Sequence, residues 1–145
     1  MAPHLAQANL SLLRHPPTAP QVAEFAAALA RINHLADRAP GFVWRDRVPV
    51  SDDERLVLNL SVWKAYLPLH EYTYRSPHGH YVRRRHEWFD RVPQPSTVLW
   101  WIEAGTRPTA EEGLARLRRL QRYGPAPAAF SLRVRFDPSG RRERR

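Results

Sequence analysis

The sequence predicts an α+β domain with a ferredoxin-like β-α-β-β-α-β antiparallel sheet, followed by a C-terminal helix and strand. Segments in which apolar residues alternate are interleaved with segments in which they recur every three or four positions. The order of these segments is that of the split β-α-β fold. The chain of 145 residues is long enough for one domain. We expect this domain to span residues 1–137 and the basic residues 138–145 to be a disordered tail.

The first half of the unit contains one helix and three strands. The predicted elements are a strand over residues 4–13, a helix from a Thr18–Gln21 capping box to about residue 38, a strand over 42–47 and a strand over 55–63. The helix has an apolar stripe that includes Phe25, Leu29 and Ile32, and the "APG" at 39–41 ends it. The third strand shows the clearest alternation in the chain.

The second half contains two helical segments and two strands. The predicted elements are a helical segment bent at Pro77 and ending near Val92, a strand over 96–105, a helix that begins at a Thr109–Glu112 capping box and ends at Gly124, and a strand over 129–136. Acidic residues in the first turn of the last helix and arginines in its last turn complement the helix dipole.

The first and third strands each have one aliphatic face and one polar face. The aliphatic faces are Ala6, Ala8, Leu10, Leu12 and Leu56, Leu58, Leu60, Val62. The polar faces carry Gln7, Asn9, Ser11 and Asn59, Ser61, Trp63. A buried amide without a hydrogen bond costs roughly 1–3 kcal/mol. The polar faces therefore either brace neighbouring elements through their own hydrogen bonds or line a cavity, and the sequence leaves both possibilities open.

Composition limits the classes of function. The chain has no cysteine, which excludes disulfides, thiolate metal sites and a cysteine nucleophile. The net charge is +9, but nearly all basic residues are arginine, as GC-rich codon usage would also produce, and we do not expect a nucleic-acid partner. We see neither a signal peptide nor an apolar run of the roughly 20 residues that a membrane span needs. We expect a cytoplasmic protein without a membrane partner.

The segment "YRSPHGHYVRRRHEWFD" (74–90) contains three histidines and three consecutive arginines. On a helical wheel one side carries His78, Tyr81, Val82, Arg85, Trp88, Phe89 and Val92. An arginine on an apolar stripe needs an acidic partner, carbonyl groups or an anionic ligand. For Arg85 a structural ion pair or strand-end carbonyls are the simpler possibility, and for His78 a hydrogen bond at the start of the helix.

Other chemistries find little support in the sequence. His78 and His80 lie two positions apart, where helix geometry directs them to different sides, so a metal site is not expected. The chain has no nucleophile elbow, phosphate-binding loop or dinucleotide fingerprint. The predicted inward positions hold no close pair of carboxylates, which argues against a glycosidase mechanism.

Seven segments together carry a resemblance to a known family. These segments are HLAQANLSLL, PGFVWR, LVLNLSVW, YRSPH, VRRRHEWF, VLWWIEAGTRPTAEEGLARL and YGPAPAAFSL, and they resemble domain-of-unknown-function family 3291 over about residues 3–136. The resemblance implies the dimeric α+β-barrel superfamily, in which two ferredoxin-like sheets pack face to face. It therefore implies a homodimer with the aliphatic strand faces in its core. The polar faces would point toward the helices, where relatives hold their ligand.

Two enzyme groups of this superfamily resemble the chain at particular positions. The small heme-degrading monooxygenases use an Asn, a Trp and a helix His, to which Asn9, Trp63 and His78 correspond, although His78 lies several residues early. The cofactor-free quinone-forming monooxygenases use an Asn and a Trp four residues apart, as Asn59 and Trp63 are. In that second group Arg85 would be the arginine that holds the oxyanion.

The resemblance implies a small monooxygenase-like or isomerising enzyme of secondary metabolism that acts on a flat aromatic or polyketide-like molecule. The expected catalytic residues are His78, Arg85, Asn9 and Asn59, and the expected substrate contacts are Trp63, Trp88, Trp101, Tyr81, Gln7 and Ser61. We expect no metal and no cofactor. A heme protein with His78 as its ligand and a non-catalytic ligand-binding dimer remain alternatives.

Overall fold

A computed structural model describes residues 2–16, 18–20, 23–75 and 85–144. The strands are β1 (His4–Leu13), β2 (Phe42–Pro49), β3 (Leu56–Trp63), β4 (Phe89–Asp90) and β5 (Thr97–Ile102), and the helices are α1 (Ala23–Arg38), α2 (Tyr66–His70) and α3 (Ala110–Tyr123). A π-helical turn, Glu71–Arg75, continues α2, and a single 3-10 turn, Arg85–Glu87, precedes β4.

The sheet is antiparallel and has β1 at its centre. Strand β3 pairs with one side of β1 and is flanked by β2, whereas β5 and the short β4 share the other side of β1. Across the sheet the strands therefore lie in the order β2-β3-β1-β5, and α1 connects β1 to β2. This arrangement confirms the predicted ferredoxin-like α+β fold.

Helix α3 covers the aliphatic face of the sheet. Its residues Leu117 and Leu120 share a buried cluster with Ala6, Ala8, Leu58, Leu60, Val98 and Trp100. A Cβ at Gly113 would lie 3.1 Å from Leu58 and Leu60 and 3.2 Å from Ala8, so the helix approaches the sheet closely because this position has no side chain. The expectation that the core of a dimer barrel buries this face is therefore wrong, because α3 of the same chain already covers it. The homodimer itself stays a prediction.

One predicted helix cap and one predicted turn have the expected geometry. The hydroxyl of Thr109 accepts a hydrogen bond from the backbone N–H of Glu112 at 3.1 Å, which caps α3 at its start. Gly41 follows α1 with a φ of +80°, and a Cβ there would lie 2.5 Å from Pro68. Glycine is needed at this turn because the backbone is left-handed and α2 packs directly against it.

The predicted helical segment that ends near Val92 is wrong at its C-terminal end. Residues Phe89 and Asp90 form β4, opposite Leu13 and Leu12 of β1. The helical wheel placed Trp88 and Phe89 on its apolar side. Trp88 is indeed buried, at 5% exposed, but its backbone forms a turn and not a helix. Pairing with β4 satisfies backbone groups at the end of β1 that a helix on the surface would leave unpaired.

The C-terminal region also differs from its prediction. In place of a continuous strand over 129–136, Phe130 forms an isolated bridge with Leu99 of β5. Residues 138–144, where we expected disorder, turn back on this segment: Phe136 bridges Arg142, and Arg135 forms an ion pair of 2.9 Å with Glu143. The hydrogen bonds between these two segments order most of the basic tail.

Candidate functional site

A large cleft lies between the polar face of the sheet, α1 and the residues around β4. Its volume is about 1330 Å³. The polar side chains predicted for the strand faces lie on its floor: Gln7, Asn9, Ser11, Asn59 and Ser61. The cleft therefore brings together the residues of β1 and β3 that the sequence singled out.

The strand register fixes how these polar side chains meet. Gln7 is opposite Ser61, and Asn9 is opposite Asn59. The Ser61 hydroxyl donates to Gln7 Oε1 at 3.0 Å and accepts from Trp63 Nε1 at 3.0 Å. This chain of hydrogen bonds fixes the Gln7 carbonyl and the indole of Trp63 at one end of the floor.

A second group of hydrogen bonds surrounds Asn9. Its Nδ2 donates to the Thr97 hydroxyl at 2.7 Å, and its Oδ1 accepts from the Ser11 hydroxyl at 3.0 Å. Within the described residues, Asn59 Nδ2 has only two contacts of 3.5 Å, to the Asn9 carbonyl and to the Ser11 hydroxyl. Asn9 is thus held by short bonds on both sides, whereas Asn59 is held weakly.

Two amide groups of the floor are available to a ligand. Gln7 Nε2 and Asn59 Oδ1 make no hydrogen bond to any part of the chain that the structure describes. Asn59 Nδ2 could exchange its two long contacts for one shorter bond. The amides therefore fill both of the roles that the sequence left open. Asn9 braces neighbouring strands through its hydrogen bonds, whereas Gln7 and Asn59 keep polar atoms for the cleft.

Aromatic side chains form the walls. At one end Trp63 lies 5.2 Å from the ring of Tyr72 and 5.5 Å from that of Phe42. At the other end Phe25 of α1 contacts Trp88 at 5.6 Å and Phe89 at 5.2 Å. Such walls are suited to a flat apolar framework, whose faces they can contact.

Tyr72 remains protonated at neutral pH. Burial raises the pKa of its phenol well above the ordinary value, and the hydroxyl donates to the Ile32 carbonyl at 3.2 Å. Its role in the cleft is that of a wall and a tie between α1 and the π-helical turn.

Two arginines of β2 also line the cleft, and sequence reasoning missed both. Arg45 and Arg47 lie on the cleft face because Arg45 is opposite Ser61 and Arg47 is opposite Asn59. Arg45 makes a two-bond ion pair with Asp37 of α1, at 2.8 and 3.2 Å. The signal was the alternation in "WRDRV", in which Trp44 and Val48 pack on the aliphatic side and direct the arginines to the other.

The remaining predicted residues have varied placements. Arg85 is at the cleft but exposed, so its predicted place on a buried stripe is wrong. Trp101 does not line the cleft, because it packs against the C-terminal segment and its Nε1 donates to the Phe136 carbonyl at 2.7 Å. Trp88 and Trp63 do line it. His78 and Tyr81 lie outside the described residues.

The described ranges hold neither a metal-binding cluster nor a membrane-spanning helix. Residues 2–16, 18–20, 23–75 and 85–144 contain no group of three or more His, Cys, Asp or Glu side chains that could hold a metal ion. In the same ranges no helix combines the length and the apolar character that crossing a membrane requires.

Several solved structures share the fold. Protein SO0527 from Shewanella oneidensis is 14% identical with a TM-score of 0.55, over 70% of this chain and 93% of its own. SnoaB from Streptomyces nogalater, a cofactor-independent oxygenase, is 20% identical with a TM-score of 0.51, over 75% of this chain and 98% of its own. NE2512 from Nitrosomonas europaea, of unknown function, is 13% identical with a TM-score of 0.55, over 75% and 98%. At these identities the likeness shows the fold alone, which is monooxygenase-like.

Sequence comparison gives the family. No curated protein matches the chain significantly. The family model described as "Domain of unknown function (DUF3291)" matches residues 4–145, nearly the whole sequence. The match includes both strands of the cleft floor, both arginines of β2 and the C-terminal segment. The chain belongs to the DUF3291 family.

Proposed function

We propose that this protein is a small enzyme that oxygenates or isomerises a flat aromatic or polyketide-like molecule bound between the sheet and α1. The observation that carries the proposal is the cleft, where amides with unused polar atoms lie on the floor and aromatic rings form the walls. A polar floor can orient the oxygen atoms of a flat molecule, while the walls exclude water from its faces.

Both reactions would begin with loss of a proton from a phenol, an enol or the carbon beside a carbonyl group. Negative charge then develops on a substrate oxygen, and hydrogen-bond donors aimed at it lower the barrier. Asn59 Nδ2 and Gln7 Nε2 are the amide donors that the floor can offer, since Asn9 Nδ2 is already bonded to Thr97. We assign Asn59 and Gln7 to the oxyanion and Asn9 to positioning.

The two reactions diverge after the proton transfer. Isomerisation returns the proton at another atom. Oxygenation of a CH₂ group to a carbonyl consumes one O₂, places one of its oxygen atoms in the product and releases the other as water, and the substrate supplies all the electrons. The likeness of the fold to SnoaB, a cofactor-independent oxygenase, is consistent with the second reaction.

A proton acceptor is also needed. Tyr72 does not serve, because its raised pKa keeps the phenol protonated and the hydroxyl is bonded to a backbone carbonyl. His78 stays our prediction for this role, and His86 is a described histidine that lines the cleft. A pH–rate profile with a single ionisation near the ordinary histidine pKa of about 6.5 would support a histidine.

The test combines binding with turnover. Purified protein is titrated with a hydroxyanthrone and a hydroxynaphthoquinone while tryptophan fluorescence is followed, since Trp63 and Trp88 line the cleft. Oxygen uptake and product spectra report turnover. We expect quenching by at least one probe, and in Asn59→Leu a roughly 100-fold lower kcat/KM, the usual loss for one oxyanion donor. Arg118→Gln, on the exposed side of α3, is the matched control.

Unchanged fluorescence across the panel would contradict the proposal. Binding without oxygen uptake or isomerised product would instead favour the non-catalytic ligand-binding protein. A Soret band on addition of hemin, lost in His78→Ala, would favour the heme alternative.

A further inference from the structure

We propose that Arg47 is the anion-binding residue of the cleft, and that the ligand carries a carboxylate or another ionised oxygen on its flat framework. The inference rests on the function proposed above and names the charge of the substrate for the same site. Arg47 touches the ligand in this proposal and is thus a specificity-determining residue.

The position of Arg47 is fixed by the sheet. It pairs with Asn59 of β3, which pairs with Asn9 of β1, so the arginine extends the row of amides across the floor. Its guanidinium lies over the ring of Phe25, 5.6 Å from the ring centre, which holds the side chain at the α1 end of the cleft. The cation, the Asn59 amide and an aromatic wall therefore meet at one place.

Arg47 has no anionic partner within the described part of the chain. Among the described residues its side chain makes neither an ion pair nor a hydrogen bond, and only its backbone N–H is bonded, to Asp46 Oδ1. The residues outside the description are Met1, Pro17, Gln21, Val22, 76–84 and Arg145, and none of them has a carboxylate side chain. No Asp or Glu side chain of the same chain can therefore pair with Arg47 unless the described residues rearrange, and in this proposal a bound ligand supplies the anionic oxygen.

The neighbouring arginine shows that this is not a general feature of the strand. Arg45, two residues away on the same face, has both carboxylate oxygens of Asp37 as partners. Arg47 is half-buried, and burial lowers the pKa of its guanidinium. A half-buried cation without a counter-ion is costly, and an anionic ligand removes that cost on binding.

The chemistry favours a planar oxyanion. A guanidinium offers two parallel N–H groups that match the two oxygens of a carboxylate, and it can also bond one ionised phenol or enol oxygen. Asn59 is opposite Arg47 in the strand register, and its Nδ2 can donate a further bond to the same ligand by exchanging its two 3.5 Å contacts. In the proposed reaction the same cation would hold the charge that develops when the substrate loses its proton.

The experiment compares two probes that share one flat framework. Affinities for 2-naphthoate and for its neutral analogue 2-naphthamide are measured by calorimetry on wild-type protein, Arg47→Met, Arg47→Lys and the control Arg118→Gln. We expect wild-type protein and Arg118→Gln to bind the carboxylate at least about tenfold more tightly than the amide. Arg47→Met should lose this preference with little change for the amide, and Arg47→Lys should keep part of it.

The outcomes separate this inference from the proposed function. Equal binding of the two probes to wild-type protein, or a preference that survives in Arg47→Met, overturns the inference and leaves the aromatic cleft intact. Binding of neither probe argues against the aromatic cleft itself, and the inference then fails with it. Retained binding of the amide by Arg47→Met shows that its lost preference is not a folding defect, and a partial preference in Arg47→Lys, which keeps the charge at this position, attributes the preference to that charge. Thermal melts of all variants accompany the titrations.

Discussion

On one face of the sheet Ala6, Ala8, Leu58 and Leu60 are at most 2% exposed beneath α3, whereas on the other face Gln7, Asn9, Asn59 and Ser61 remain half-buried beside the cleft. Both faces belong to the same two strands, and side chains alternate between them. The aliphatic face contributes burial and little chemistry. The polar face gives up part of its burial and keeps amide groups that a ligand can reach.

The coverings differ as much as the faces do. Helix α3 packs closely on the sheet because Gly113, which has no side chain, faces Leu58 and Leu60. Helix α1 stands away from the polar floor and contacts the sheet through Phe25 and Ala28 in a separate cluster. A tightly covered face on one side lets the other side hold an open cleft without loss of the fold, so the two faces of this sheet divide core packing from the proposed ligand site.

The largest effect should come from a cavity on the aliphatic face. Leu58→Ala removes a side chain that is 0% exposed and should cost about 2–5 kcal/mol of unfolding free energy. The matched variant Leu29→Ala removes a half-buried leucine from the cleft wall and should cost clearly less. Urea denaturation measures both. Equal losses would mean that the cleft side is packed as tightly as the α3 side, and the comparison would fail.

A smaller effect is expected on the polar floor. Ser61→Ala removes the acceptor for Trp63 Nε1 and the donor to Gln7, and leaves the N–H of a buried indole without its partner. We expect a loss of about 1–3 kcal/mol together with a shift of tryptophan emission. Ser96→Ala is the control, because the Ser96 hydroxyl donates one bond of 3.5 Å, to Gln94 at the cleft rim, among the residues that the structure describes. This variant should change stability by less than about 0.5 kcal/mol.

Much of this division could be predicted from the sequence. Strict alternation in β1 and β3 identified both faces, because a period of two assigns each residue to one side of a strand. The capping residues Thr109 and Gly124 fixed the bounds of α3. What covers the aliphatic face could not be read from alternation, since a helix of the same chain and a second sheet bury aliphatic residues equally well.

The misassigned residues fail for a similar reason. Trp88 and Phe89 are apolar neighbours that fit a helical stripe as well as a turn followed by a strand, and only the unpaired end of β1 decides between them. Arg47 was missed because the significance of an arginine on a strand depends on whether an acid faces it. That acid, Asp37, lies on α1 and reaches Arg45 instead.

The smallest effect separates the two arginines of β2 by pH. The hydrogen bond from Arg45 holds the pKa of the Asp37 carboxyl below its ordinary value, so this pair stabilises the fold above about pH 4 and loses its contribution as pH falls through the lowered pKa. Asp37 is half exposed, and solvent screening limits the pair to a few tenths of a kcal/mol. Asp37→Asn should therefore be slightly less stable than wild-type protein at pH 7, and the difference should shrink as the pH falls and disappear at a pH below the lowered pKa. A double-mutant cycle with Arg45→Gln measures the coupling, which should vanish at the lower pH.

Arg47→Met should differ from Asp37→Asn at pH 7: its stability should be unchanged or raised, because Arg47 has no acidic partner among the described residues whose attraction the substitution would remove. A clear loss of stability in Arg47→Met would mean that the cation is held by the fold itself, and the contrast between the paired and the unpaired arginine would not stand.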